Sequence, residues 1–364
     1  MSSNTLDEVG SGSQTSAAFC QDSCVKEAGN GGYAAPKAIS PTEGAGETRK
    51  GEPLVSVIIV TRNTRDLVRE AIRSVEASEV SFPLETILVD NGSTDGTAEG
   101  IPPAFPKLVY LRFPRNLGFA AAVDRAAERS RGKYLLLLNS DARLESDALE
   151  RAVQWMETHP ECGIAGARLR NEDGSPQNSI ANFPSLWTEL GNKALLRRLF
   201  PHRYPGKERP ATHPTAVDSV IGAFFLTRAA LWQRLRGMDE GFFFFLEETD
   251  FCYRARLAGF AAYHLPDVHV WHGQGRSAAA SPAAARIEYW RSRYRYFSLH
   301  APRSHQACLR LVLPLRLAME LAGDILIFPF RGTRPRFRER MGVRWALLLW
   351  HLAGRPDRMG LPRD

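Results

Sequence analysis

Four apolar runs, each followed by a polar turn and a helix-like segment, place the strongest constraint on how this 364-residue chain folds. The first run, residues 54–60 (LVSVIIV), is the β-branched kind found in a parallel strand covered on both faces. Similar runs follow at 85–90, 108–111 and 133–138. This alternation predicts an α/β fold, with a mostly parallel sheet, right-handed crossovers and helices on both faces.

Two aspartates stand at the ends of predicted strands. Asp90 closes the second run, and Asp141 follows the fourth. Because ligands of open parallel sheets bind at the carboxyl ends of the strands, both carboxylates are candidate site residues. Beyond Gly163 the alternation gives way to a mixed region, with a polar loop at 172–179, strand-like segments at 219–226 and 260–271, and a helix at 229–235.

The basic residues are concentrated at the C-terminal end. From Arg286 onward there are 16 Arg, no Lys and 6 acidic residues, a net charge of +10, so the preceding 285 residues carry about −3 of the total +7. Nucleic acid and anionic lipid are both candidate partners for such a segment. The long apolar stretches between the arginines favour an anionic membrane surface and argue against nucleic acid.

Residues 309–330 are apolar enough to raise the question of a membrane span. Arg316, Glu320 and Asp324 interrupt them, so no run of about 18 uncharged residues remains. On a helical projection the charges share an arc of about 120° with several leucines. We expect a helix lying in the membrane interface, with a buried helix pair and a true span as the alternatives.

Composition also divides the chain. Residues 1–52 are rich in small and polar residues and predict a disordered tail, 53–300 the catalytic domain, and 301–364 a basic, apolar membrane-associating segment. Five cysteines without paired C-x-x-C spacings encode neither a disulfide framework nor a structural zinc site, and a metal role for Cys20 and Cys24 is not expected. The N-terminus shows no secretory signal, which predicts a cytoplasmic protein.

Short motifs follow the strands: VTRN at 60–63, DNGSTDGT at 90–97, NLGFA at 116–120 and NSD at 139–141. Each alone is what any tight turn favours. In this order, with GAFFLTR at 222–228 and EETDF at 247–251, they resemble the inverting family 2 glycosyltransferases of the GT-A fold, and most of all the rhamnosyltransferase-like members. The resemblance covers about residues 54–300 and implies a nucleotide-diphospho-sugar transferase.

The resemblance implies a nucleotide pocket around Asp90. An ionised carboxylate only accepts hydrogen bonds, which suits the N–H of a uracil or thymine ring. The alternative is a carboxylate that caps the following turn. The resemblance assigns to the same pocket Thr61, Arg62, Asn63, Asn116, Gly118, Phe119, Asn139 and Ser140.

It also implies a site for Mg²⁺ or Mn²⁺, which would stabilise the departing diphosphate. Asp141 is the expected ligand; relatives often carry D-x-D here, whereas Asn139 leaves this chain one acid. His272 matches the second ligand of the family. For His264 and His269 the expected role is that of ordinary polar residues with satisfied hydrogen bonds.

Inversion at the anomeric carbon needs a base that removes the acceptor proton. The resemblance assigns it to Glu248, where relatives more often have Asp, and the aromatic run at 242–245 would raise its pKa by desolvation. Glu247 and Asp250 are candidate acceptor or diphosphate contacts, or else an acidic first helical turn. Arg291 and Arg293 are candidate diphosphate contacts, or part of a membrane-facing surface.

Together these features predict an enzyme at the inner face of the cell membrane. We expect it to move a sugar, with rhamnose from dTDP-rhamnose as the best guess, to a hydroxyl of a lipid-linked or cell-surface glycan. The alternatives are a catalytically silent, glycan-binding scaffold and a nucleotidyltransferase of similar sheet architecture. The nucleotidyltransferase would carry G-x-G-T-R-[LM] after its first strand, where this chain has VTRNT.

Overall fold

The computed structural model describes residues 51–191, 193–200, 211–273 and 281–363. The predicted tail at 1–52 therefore lies almost wholly outside the described residues, and so do Cys20 and Cys24.

A nine-stranded sheet forms the centre of the molecule. Its strands are β1 (Val55–Thr61), β2 (Leu84–Asn91), β3 (Val109–Phe113), β4 (Tyr134–Asn139), β5 (Ala142–Leu144), β6 (Cys162–Arg170), β8 (Thr215–Val217), β10 (Phe224–Arg228) and β11 (Ala261–His272). They lie in the order β3-β2-β1-β4-β10-β6-β11-β5, with β8 also paired to β11. Strands β1 to β4 are mutually parallel, β6 and β11 share their direction, and β5, β8 and β10 oppose it. The mostly parallel α/β fold predicted from the sequence is confirmed.

Helices cover both faces of this sheet. They are α1 (Arg65–Glu76), α2 (Thr97–Gly100), α3 (Phe119–Ala127), α4 (Ala148–Thr158), α5 (Leu186–Leu190), α6 (Lys193–Leu199), α7 (Ala229–Leu235), α8 (Glu247–Leu257), α9 (Pro282–His300), α10 (Arg303–Arg331) and α11 (Pro335–Leu352). Because side chains alternate along a strand, Ile59 packs with α1 and α4 on one face, whereas Ile58 packs with α3 and α8 on the other.

The predicted strand at 219–226 is wrong, because two separate strands occupy this segment. Strand β9 (Ser219–Val220) pairs with β7 (Ile180–Ala181) in a small antiparallel sheet, and the chain then enters the central sheet as β10. Between them, the Ile221 amide donates to Ser179 O at 3.1 Å, and Ala223 O accepts from the Asn139 amide at 3.2 Å. The segment therefore links two sheets, a change of partner that apolar periodicity does not encode.

The three C-terminal helices form a third apolar core. It contains Trp290 and Phe297 of α9, Leu309 and Leu313 of α10, and Trp350 of α11. Among the described helices, none combines the length and the apolar character needed to cross a bilayer. The finding argues against the true span considered for residues 309–330.

Candidate active site

Loops after β1, β2 and β4 meet at the carboxyl edge of the sheet. The Asn63 amide donates to Ser93 Oγ at 3.1 Å, and Asn63 Oδ1 accepts from the Thr94 amide at 2.8 Å. Asn63 has a φ of 54°, a left-handed conformation that asparagine tolerates better than most residues. Thr64 Oγ1 donates to Ser140 Oγ at 3.1 Å. These hydrogen bonds hold the motif residues around Thr61, Arg62, Asn63 and Ser140 together at the carboxyl edge of the sheet.

Asp90 is completely buried at the end of β2. Its Oδ1 accepts from the Ser93 amide at 2.8 Å, and its Oδ2 accepts from the Tyr110 hydroxyl at 2.7 Å. Burial, together with this bond to a carboxylate, raises the pKa of Tyr110. The turn-capping bond considered for Asp90 is present. Contact with a nucleotide base stays a prediction.

The NLGFA loop packs against the aromatic run that precedes α8. Asn91 Nδ2 donates to Asn116 Oδ1 at 3.0 Å and to Gly118 O at 3.1 Å. Gly118 has a φ of 86°, and a β-carbon there would lie 2.8 Å from the Phe243 carbonyl oxygen. That same oxygen accepts from the Phe119 amide at 2.9 Å. Only glycine allows this close approach between the two loops.

The segment after α11 returns to the same loop. Asn116 Nδ2 donates to Pro362 O at 3.3 Å. The Arg363 side chain donates to Glu288 Oε1 at 2.8 Å, and its guanidinium carbon stands 4.7 Å from the centre of the Phe243 ring. Residues from the C-terminal part of the chain therefore line the predicted nucleotide pocket, a contribution that the motifs do not reveal.

Asp141 and His272 lie side by side. The residue after Asp141, Ala142, pairs with His272 across β5 and β11. His272 Nε2 is 3.4 Å from Asp141 Oδ1, and both side chains are about one-tenth exposed. Asn139 Nδ2 also stands 3.3 Å from His272 Nε2. All three residues were named from the sequence, Asn139 and Asp141 from the NSD motif and His272 from the family resemblance, and the fold brings them together.

Gln177 sets the proton position on the His272 ring. The Gln177 Nε2 amino group donates to two oxygens, His272 O at 2.6 Å and Asn171 Oδ1 at 2.7 Å. Its Oε1 therefore faces His272 Nδ1 at 3.0 Å, and Nδ1 must be the donor. In the neutral ring this leaves Nε2 with its lone pair directed at Asp141. Gln177 lies in a polar loop with no pattern that would single it out.

The geometry of this pair suits a divalent cation. Two adjacent ligands of an octahedral ion, each at about 2.1 Å, stand about 3.0 Å apart, which is near the observed 3.4 Å. An acceptor-only carboxylate and an unprotonated imidazole nitrogen are suitable donors. Within the described part of the chain, no group of three or more His, Cys, Asp or Glu side chains is placed to hold a metal.

A strained turn precedes the acidic residues of α8. Phe245 and Leu246 both have positive φ, 73° and 68°. For side chains of this size such a conformation costs about 1–3 kcal/mol each and persists only where the surrounding structure imposes it. Glu247 and Glu248 follow directly as the first residues of α8.

Burial changes the protonation of both glutamates. It raises the pKa of Glu248 to about 7. Burial and then the neighbouring Glu248 raise the pKa of Glu247 well above its usual value, and Glu247 Oε2 has no hydrogen-bond partner among the described residues. A β-carbon at Gly222 would lie 3.8 Å from Glu248 Cγ, and the next residue, Ala223, bonds the Asn139 amide. This chain of contacts links the acids of α8 to the Asn139–Asp141 loop.

Asp250 is held by partners within the protein. Its Oδ2 accepts from Arg254 Nε at 2.7 Å, its Oδ1 contacts His300 Nε2 at 2.6 Å, and all three side chains are buried. This arrangement favours a structural role for Asp250 in the first turn of α8. Its contact with an acceptor stays a prediction.

Asp250→Asn should lower the free energy of unfolding by about 3–5 kcal/mol, because removing one charge of a buried cluster leaves its partners uncompensated. Urea denaturation monitored by circular dichroism measures this change. Glu70→Gln is the control: its partner Arg73 lies at 2.8 Å but the pair is exposed, so the expected loss is below about 1 kcal/mol. A loss below 1 kcal/mol in Asp250→Asn would contradict a structural role.

Both arginines considered for the diphosphate are already paired. Arg291 bonds Glu288 and donates to Pro356 O at 3.1 Å. Arg293 bonds Glu189 and the Tyr289 hydroxyl. Their contact with a diphosphate stays a prediction, and Arg293 is itself buried.

The strand order and the groups at the carboxyl edge define a nucleotide-diphospho-sugar transferase of the GT-A type. The edge carries Asp90, the N-x-D aspartate beside His272, the buried Glu247 and the partly buried Glu248. Residues 56–235 match the family described as glycosyl transferase family 2, and the chain belongs to this family of enzymes.

Two relatives are named as rhamnosyltransferases. The N-acetylglucosaminyl-diphospho-decaprenol L-rhamnosyltransferase of Mycobacterium tuberculosis (strain CDC 1551 / Oshkosh) is 27% identical over 253 residues, covering 65% of this chain and 82% of the relative. The rhamnosyltransferase WbbL of Escherichia coli (strain K12) is 24% identical over 226 residues, covering 60% and 83%. The mannosyltransferase PcManGT from Pyrobaculum calidifontis, solved with GDP-Man and Mn²⁺, shares the fold with a TM-score of 0.51 at 19% identity, covering 90% of this chain and 92% of that one.

Proposed function

We propose that this enzyme transfers a sugar, with inversion, from a nucleotide-diphosphate donor to a hydroxyl of a lipid-linked or cell-surface glycan. The rhamnosyltransferase names of two relatives make dTDP-rhamnose the first donor to test, and the decaprenol-linked substrate in one of those names makes a lipid-linked acceptor the first acceptor to test. One observation carries the proposal: a carboxylate–imidazole pair and a partly buried glutamate of raised pKa, Glu248, are linked through Gly222 and Ala223 at one sheet edge.

The donor would bind across the loops after β1, β2 and β4. Asp90 and Asn63 would recognise the base and the nucleoside. Asn116, Gly118 and Phe119 would form the wall of the pocket against which the nucleoside packs. Tyr110 would fix the Asp90 carboxylate through the bond at 2.7 Å. Asn139 and Ser140 would sit beside the diphosphate.

The diphosphate would be held with Mg²⁺ or Mn²⁺ at Asp141 and His272. A cation there supplies electrostatic stabilisation of the leaving diphosphate. Asp141 would contribute a carboxylate oxygen, and His272 would contribute Nε2, because the bond to Gln177 Oε1 places the proton of the neutral ring on Nδ1.

Glu248 would act as the general base. It lies in a desolvated position where its pKa is raised to about 7, so that it is a stronger base than an exposed glutamate and is still substantially ionised near neutral pH. As the acceptor oxygen attacks the anomeric carbon, its proton passes to Glu248, and the bond to the nucleoside diphosphate breaks on the opposite face. Burial and the neighbouring Glu248 raise the pKa of Glu247 as well, and its Oε2, which has no hydrogen-bond partner among the described residues, would be available to the acceptor.

Gln177→Leu should weaken metal binding by about 10- to 100-fold, because the His272 ring loses the acceptor that fixes its tautomer. Isothermal titration calorimetry, with Mn²⁺ added to protein saturated with nucleoside diphosphate, measures the affinity for Mn²⁺. Gln154→Leu, on the exposed side of α4, is the matched control and should leave it unchanged. Equal affinities in both variants would remove Gln177 from this role.

The function is tested by a thermal-shift screen of nucleotide sugars with and without Mg²⁺ or Mn²⁺, since a ligand of the folded state raises the melting temperature. Donors that bind are then incubated with a polyprenyl-diphosphate-linked sugar acceptor, and NMR determines the anomeric configuration of the product. A metal-dependent shift followed by an inverted product is expected. Binding without transfer or hydrolysis of any donor would instead identify a catalytically silent scaffold.

A lipid-linked acceptor would require the enzyme to work at a membrane. We propose that it does so as a peripheral protein at the cytoplasmic face, with the helices after residue 301 forming the attachment.

A further inference from the structure

We propose that the exposed side of α10, with the arginines that follow it, is a docking surface for an anionic lipid bilayer. This inference rests on the proposed function in one respect, the location at a membrane, and it identifies the residues that make the contact. Five large apolar side chains define what we call the apolar stripe: Leu311, Leu315, Met319, Leu326 and Phe330.

The apolar stripe faces outward along the whole helix. Its side chains are between 59% and 84% exposed. They recur at steps of four, four, seven and four residues, so at about 100° per residue they occupy one side of α10. Over 29 residues the helix is about 43 Å long, which gives the stripe the length of an extended contact surface.

Three charged residues in the middle of α10, Arg316, Glu320 and Asp324, lie on the other side, toward the protein. Arg316 bonds Glu320 at 2.9 Å and also approaches Leu190 O at 3.3 Å. Asp324 is 3% exposed and bonds Arg340 at 3.0 Å, and it also bonds Arg344. The polar arc recognised in the sequence is thus used for packing against α5 and α11.

This arrangement reverses the usual amphipathic helix of a water-soluble domain, in which the apolar side is buried and the charges face water. The buried side of α10 carries leucines as well as the charges, namely Leu309, Leu313, Leu317 and Leu321. The helix is therefore fixed to the domain by one side, and its other side presents a continuous apolar surface of the kind that marks an interaction site.

The end of the apolar stripe is surrounded by positive charge. Residues 331–340 contain five arginines and one glutamate, a net charge of +4, and all five arginines are exposed: Arg331, Arg334, Arg336, Arg338 and Arg340. An apolar surface beside a basic cluster is the combination that binds anionic membranes stably. Nucleic acid would not use the stripe. A second copy of the chain that docked through the same surface would bring the same excess of arginine to the contact.

The proposal is tested by sedimentation of the full-length protein with phosphatidylcholine vesicles that contain either no anionic lipid or about 30% phosphatidylglycerol. We expect binding to the anionic vesicles that weakens with salt. The triple variant Leu315→Ser, Met319→Ser, Leu326→Ser should reduce binding at least about tenfold. Arg334→Glu with Arg336→Glu should remove the preference for anionic lipid.

Leu257→Ser is the matched control, because Leu257 is 45% exposed on α8, away from the stripe, and should leave vesicle binding unchanged. Unaltered melting temperatures show that each variant is folded.

Vesicle binding at the wild-type level in the triple variant would overturn the proposal. So would the absence of vesicle binding together with a dimer, seen by analytical ultracentrifugation, that the triple variant abolishes. Nucleotide-sugar binding is measured in parallel. If the wild type binds no nucleotide sugar, the proposed function is refuted. If it binds nucleotide sugar but not anionic vesicles, only the docking surface is refuted.

Discussion

Glu248→Gln should reduce turnover by about 10²- to 10⁴-fold while leaving nucleotide-sugar affinity near that of the wild type. Glutamine keeps the size and the hydrogen-bonding capacity of the side chain, but it cannot take the acceptor proton in the transition state. Donor binding does not use that proton transfer, so the dissociation constant should hold while kcat falls. Steady-state kinetics with calorimetric donor titration separates the two quantities.

The pH dependence of kcat gives an independent test of Glu248 as the general base. A base must be ionised to act, and burial raises the pKa of Glu248 to about 7, so wild-type kcat should decline as pH falls below about 7. Glu248→Gln should lose this dependence. The free energy of unfolding should depend on pH in the opposite direction to kcat. The raised pKa of Glu248 stabilises the folded state fully below about pH 4.5, and this stabilisation is lost as pH rises through about 7.

Glu247→Gln and Asp250→Asn are the controls for this experiment. Glu247→Gln should act mainly on acceptor placement, because Glu247 Oε2 has no hydrogen-bond partner among the described residues, and Asp250→Asn should act through stability. The base would have to be assigned to Asp250 if Glu248→Gln transferred sugar within a few-fold of wild type while a folded Asp250→Asn was inactive.

Asp141→Ala should abolish the metal dependence of donor binding, and His272→Ala should weaken it. Each change removes one of the two protein ligands that stand 3.4 Å apart, and the part of the chain that the structure describes supplies no third acidic, histidine or cysteine ligand beside them. Titration of nucleoside diphosphate with and without Mn²⁺ measures the effect.

His269→Ala is the control for the metal experiment, because His269 lies on the same strand but contacts Glu145 at 2.9 Å. It should leave the metal dependence intact. A donor affinity that still rises with Mn²⁺ in Asp141→Ala would exclude this carboxylate as a ligand.

The first half of the sheet, strands β1 to β4, was predictable because short stretches of sequence determine its strands and helices. Strands β1 and β4 are continuous apolar runs buried along almost their whole length, β2 is buried along its second half, and a helix follows each of β1, β2 and β3. Because these strands are parallel, their carboxyl ends meet at one edge of the sheet, where Asp90 and Asp141 lie. The motif residues could thus be located before any distance was known.

Features that depend on partners distant in sequence could not be predicted in this way. The break between β9 and β10 arises because Ser179 and Asn139 bond the chain on either side of Gly222. Gln177 acquires its role from His272, 95 residues away. Neither contact leaves a periodic pattern, since a single polar residue in a loop carries no signature of what it will meet.

Helix α10 was predicted to be amphipathic, but the sequence could not tell which side faces the protein. Arg316, Glu320 and Asp324 would ordinarily be assigned to solvent. They are turned inward because α5 and α11 supply the matching groups, among them the Leu190 carbonyl and Arg344. The orientation of a helix is decided by its neighbours, and its own periodicity defines only the two sides.

The left-handed turn at Phe245 and Leu246 places selection for stability and selection for catalysis in opposition at one point of the chain. Natural proteins lie just above the stability they need, and a strained pair of residues uses up part of that margin. A lineage that relaxed the turn would gain robustness toward heat and toward other mutations. It would also release the first residues of α8, Glu247 and Glu248, from the position in which their pKa is raised. Drift toward a more stable backbone is therefore limited here by the reaction that the turn serves.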